Sequence, residues 1–114
     1  MRNVVIQRAL VIGFMATLIS VPFGVTNALA DNKHVAEAVE HAKGAAKEKD
    51  AKAVVKHAEE ALKHAQAAQK DIKNPHLDEG VHQLKEAVEH GKAGHADVAA
   101  KAADSAAMHL SEVK

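Results

Sequence analysis

His57-Ala-Glu-Glu60-Ala-Leu-Lys-His64 reads H-x2-E-x3-H, and the pattern recurs upstream at His34-Val-Ala-Glu37-Ala-Val-Glu-His41. On a helix, residues three and four apart are neighbours. Each stretch therefore sets a glutamate between two histidines on one side of a helix. The match extends: His34 to Ala42 aligns with His57 to Ala65 at an offset of 23. Ala-Val-Glu-His-x-Lys occurs at residues 38–43 and again at 87–92. These units are helix-sized, so the duplication is of helices or hairpins and not of solenoid repeats.

Working outward, the polar run Lys47-Glu48-Lys49-Asp50 is a turn, with Asp50 placed to cap a helix over about 50–72. Before it, Asp31 or Asn32 can cap a first helix over about 32–47. Asn74-Pro75 is a restart: Asn as N-cap, Pro at the first helical position, and Asp78 and Glu79 in the first turn. This third helix, about 75–91, ends in Gly91-Lys-Ala-Gly94, and a fourth spans about 96–113. No window alternates as a strand does, and β-branched residues are too sparse for a sheet. Four helices of similar length on short loops predict an all-α, antiparallel up-down-up-down bundle.

The histidines hold a constant place in this pattern. In heptad letters, Val35, Ala38, Val39, Ala42, Ala45 and Ala46 are a, d or e, which makes His34 and His41 g. Helix two repeats the arrangement with His57 and His64 at g, and helix three with His76 and His90 at g and His82 at f. The fourth helix is alanine on too many sides to fix its phase, but His95 and His109 are 14 apart and share a face. Antiparallel neighbours oppose g to g. With the turn centred near Lys49, His34 stands level with His64, and His41 with His57. The same reasoning gathers His41, His57, His90 and His95 at one end of the bundle. It puts His34, His64 and His82 at the other, with His76 and His109 beyond.

Residues 1–30 have the form of a secretory signal peptide, leaving 31–114 as the bundle. Arg2 and Arg8 make a basic start, Ala9 to Ile19 is a short apolar run, and Pro22 and Gly24 break it. Ala28-Leu29-Ala30 is an A-x-A cleavage signal. An uncleaved anchor is the rival reading, but the apolar run is short for a bilayer. The remaining 84 residues carry 13 lysines against 15 acids, and no Arg, Cys, Phe, Tyr or Trp. Nucleic acid is therefore not an expected partner. Disulfides, thiolate ligands and c-type haem attachment are excluded. There are 21 alanines but only 14 larger aliphatics, so the core is thin, and domains this small need a staple. All nine histidines lie here, which makes a metal the available one.

Histidines seven apart on one helix are about 10 Å apart and cannot share an ion. Chelation must join His to a nearby Glu, or His from two helices. Acids precede histidines by four at Glu37/His41, Glu60/His64, Asp78/His82 and Glu86/His90. The candidate ligands are His34, His41, His57, His64, His76, His82, His90, His95 and His109, with Glu37, Glu60 and Glu86. Imidazole with carboxylate suits Cu(II), Ni(II) or Zn(II), and the affinity order favours copper. Any single acid–His pair also reads as a helix-stabilising pair on a solvated face. The set as a whole serves no packing need. Catalytic zinc signatures are absent, the Glu-x-x-His that di-iron bundles need from paired helices occurs on only one, at Glu79-Gly80-Val81-His82, and no nucleophile elbow or phosphate loop occurs, so no enzyme is expected.

An exported Ala/Lys/Glu/His-rich helical chain with histidines closing Ala-rich heptads resembles the small metal-binding protein family of bacterial periplasms. The resemblance covers the whole mature chain and fits best at His34, His41, His57, His64 and His90. It implies a four-helix bundle that binds divalent metals, copper above all, and sequesters them, with a metal-delivery or efflux protein as a possible partner. A monomer is expected. The alternative is a structural or stress-protective Ala-rich helical protein whose histidines solvate the bundle flank. A third reading is a pH-responsive element, in which level histidine pairs repel once protonated.

Overall fold

The computed structural model describes residues 26–114, with side chains from Lys33 onward. Most of the expected signal peptide therefore lies outside the described residues. Four helices follow in order: α1 (Thr26–Lys47), α2 (Ala51–Gln69), α3 (Pro75–Lys92) and α4 (Ala96–Ser111). There is no strand among the described residues, and no helix there is long and apolar enough to cross a membrane.

Local chemistry sets the boundaries. Asp50 is extended (φ −99°, ψ 129°), and its Oδ2 accepts from the Ala53 amide at 3.2 Å, capping α2. Asn74 does the same for α3, accepting from the His76 amide at 2.8 Å with Pro75 in the first turn. α2 stops at Gln69, short of the expected 72. Asn74 must be extended to cap and to precede a proline, so the chain has to leave the helix before it. Gly94, at φ 90°, makes the turn between α3 and α4, a conformation other residues adopt only with strain. At the other end α1 starts at Thr26, not at an Asp31 or Asn32 cap. Ala28, Leu29 and Ala30 are strong helix formers, and the helix runs back through them to Thr26.

Each helix packs on two neighbours in a closed ring: α1 on α2 and α4, α3 on α2 and α4, with α2 and α4 also touching across the short diagonal. The bundle is therefore all-α and antiparallel. Its interior is mostly alanine, thirteen of the nineteen buried apolar residues, with Leu77, Leu84, Leu110 and Val54 the largest fully buried side chains. Small side chains let the helices approach closely. At Gly80 a Cβ would lie 2.6 Å from Leu110 Cδ2, so only glycine fits there. No polar or charged side chain is buried among the described residues.

The buried positions give every helix a phase. In α1 and α2 the a and d residues Val35, Ala38, Ala42, Ala45, Val54, Ala58, Ala61, Ala65 and Ala68 are buried, while Val39 and Leu62 at e are partly covered. In α4 the fully buried residues Ala99, Ala103, Ala106 and Leu110 take d, a, d and a, which makes His95 and His109 g. Around an antiparallel ring, interfaces alternate between g–g and e–e. The g–g seams are α1/α2 and α3/α4, on opposite edges of the bundle.

Candidate metal centre

The α1/α2 seam holds four consecutive g histidines. The His34 and His64 rings lie 5.3 Å apart and His41 and His57 6.2 Å apart, centroid to centroid. The rungs also stack on one another, His41 over His64 at 5.7 Å with planes 7° apart. An imidazole at g lies at the edge of the apolar stripe, so it is neither lost in the core nor free in solvent. The His64 side chain keeps 25% of its surface exposed.

Carboxylates complete two sets of donors. His34, Glu37 and His64 form one, and His41, Glu60 and His64 the other, with the donor atoms of each set within 4.8 Å of one another. In the first set His34 Nδ1 and His64 Nδ1 are 3.1 Å apart, and Glu37 Oε1 is 3.1 Å from the same His64 nitrogen. Metal–ligand bonds of about 2.0–2.1 Å at tetrahedral or right angles separate two ligands by about 2.9–3.3 Å. Two of the three donor separations thus match ligands on a single ion, and the third lies within 4.8 Å. Without a metal, at most one proton sits on each Nδ1, so a hydrogen bond from one ring to the other leaves Glu37 competing for the same nitrogen. A divalent cation satisfies all three lone pairs at once. The donor chemistry fits a borderline divalent metal.

Glu37 reaches across to α2, although it lies four residues before His41 on its own helix. Other acid–His pairings also differ from the i, i+4 expectation. Glu86 meets His82 at 3.0 Å and not His90, because a helical side chain leans toward the N-terminus. Asp78 accepts from Gln69 Nε2 at 2.8 Å in place of meeting His82. His57 finds Glu48 Oε2 at 3.6 Å. Glu48 was not among the expected ligands, yet it is the next g position after His34 and His41, and that spacing could have found it. Gly44 was missed too: a Cβ there would come within 3.3 Å of His57 Nδ1, so the glycine leaves the ring its room.

The α3/α4 seam is sparser. His76 and His109 pair at 5.8 Å, and His90 and His95 at 6.1 Å. The g positions between these rungs are Gln83 and Ala102, so the two pairs are separated by four helical turns. Sharing a level is not contact: His90 and His95 make no ring pair with His41 or His57, nor His82 with His34 or His64, among the described residues. Among the described residues the ring pairs fall within one seam or the other. The g–g rule joins helices in sequence-adjacent pairs, and the bundle's own width separates the seams.

A cysteine-free, antiparallel helical bundle with imidazole and carboxylate donors lined along a helix seam belongs to the class of metal-binding four-helix bundles. The family described as Small metal-binding protein matches residues 8–113, and the chain belongs to that family. Comparison with the curated proteins finds no match.

Proposed function

We propose that this protein is an exported buffer or chaperone for divalent transition metals, taking Cu(II) first and Ni(II) or Zn(II) less strongly. The observation that carries this is the convergence of His34 Nδ1, Glu37 Oε1 and His64 Nδ1 at ligand spacing. Export to the periplasm rests on the basic start at Arg2 and Arg8, the short apolar run and the Ala28-Leu29-Ala30 signal. Binding without catalysis is favoured by half-exposed, repeated sites on a bundle flank, which suit capacity more than turnover. The open groove between α1 and α4 is lined by Lys43, Ala46, Lys47, Ala100, Lys101 and Asp104 and contains no histidine.

The test is titration of the 84-residue form with Cu(II), followed by dialysis and thermal melting. At least one ion should be retained with sub-micromolar affinity. Binding to the folded state alone stabilises it by about 2.7 kcal/mol at a free ion concentration of 100 Kd. For a domain of this size that raises Tm by roughly 10–20 °C. A chain that retains neither copper nor nickel, and melts at the same temperature with and without them, refutes the proposal.

A further inference from the structure

Both donor sets of the α1/α2 seam contain His64. A neutral imidazole has a single lone pair, on whichever ring nitrogen lacks the proton. An ion held by His34, Glu37 and His64 therefore leaves His41 and Glu60 as only two donors for a second ion. Serving both sets at once would require His64 to lose its remaining proton and bridge as an imidazolate, which also forces two dications close together. Resting on the metal-binding reading above, we infer that the seam is one site with two alternative positions. His64 is the ligand common to both, and one ion at a time is bound tightly.

The two positions are not equivalent. Glu37 already touches His64 at 3.1 Å, whereas Glu60 is shared with the exposed Lys63 ammonium at 3.6 Å. The His34/Glu37/His64 position is thus the ground state. The His41/Glu60/His64 position is the alternative, reached while His41 lies parallel to the shared ring at 5.7 Å. Such an arrangement gives a bound ion a second place to move along the seam, toward His57 and Glu48. That is the property a delivery protein needs and a closed structural site lacks.

The experiment uses Cu(II) alone and a competing chelator strong enough to strip every weaker histidine pair. Wild type, His34→Ala, His41→Ala, His64→Ala and the double variant His34→Ala/His41→Ala are equilibrated and their retained copper counted. All these side chains sit at the bundle edge, and circular dichroism confirms that each variant is helical. Wild type and His41→Ala should each retain one equivalent. His34→Ala should still retain copper, more weakly, because the second position takes the ion. His64→Ala and the double variant should retain none. The inference is overturned if wild type retains two equivalents with the coupled, resonance-silent signature of a bridged Cu(II) pair. It is also overturned if His34→Ala loses copper as completely as His64→Ala. Wild type retaining no copper would instead refute the metal-binding proposal itself.

Discussion

Two glycines on the helices should respond in opposite directions to the same substitution. In Gly80→Ala the new methyl lies 2.6 Å from Leu110 Cδ2 and 2.7 Å from Cγ, where carbon atoms prefer about 3.5–4.0 Å. Leu110 is fully buried, so it cannot swing into solvent. Overpacking of this kind costs about 1–3 kcal/mol, while replacing a mid-helix glycine with alanine returns about 1 kcal/mol. The net is a loss of up to about 2 kcal/mol, or up to roughly 16 °C in Tm for a domain of this size. In Gly44→Ala the nearest atom is the His57 ring at 3.3 Å, and that side chain is 39% exposed and free to shift by the few tenths of an ångström required. There the propensity gain prevails, and the variant should be more stable by roughly 0.5–1 kcal/mol. The assay is thermal unfolding of the chelator-treated 84-residue form by circular dichroism. A Gly80→Ala protein that melts above wild type, or a Gly44→Ala protein that melts below it, refutes the packing argument.

Asp50→Ala removes the carboxylate that caps α2 and should cost about 1 kcal/mol, read as a Tm lowered by several degrees. An unchanged melting curve would show that the cap contributes nothing. Gln83→His together with Ala102→His fills the missing rung of the α3/α4 seam and should raise the number of Cu(II) ions retained against a mild chelator. Unchanged capacity would show that level g histidines are insufficient without carboxylates.

Much of this was legible in the sequence. The apolar residues interleaved with the two H-x2-E-x3-H stretches set the phase of α1 and α2, and with it the edge position of their histidines. The offset between the twins and the turn near Lys49 then set His34 opposite His64 and His41 opposite His57. Both inferences follow from helix periodicity and chain connectivity, which are local and so are written in the residue order. The caps at Asp50 and Asn74 were legible for the same reason.

Other features depended on which helices touch and where side chains turn. Alanine looks the same on every face, so the phase of α4 emerged only when Ala99, Ala103, Ala106 and Leu110 were seen buried against the other three helices. That single fact moved His95 and His109 to g and divided the histidines into two seams. Carboxylates were harder still. Glu37 has a histidine four residues on along its own helix and another on the next, and only the packed hairpin directs it to His64. Spacing along a helix determines which faces carry imidazole. Which donors converge is decided by the contact between helices, because a flexible acid settles where the neighbouring helix brings a partner within reach.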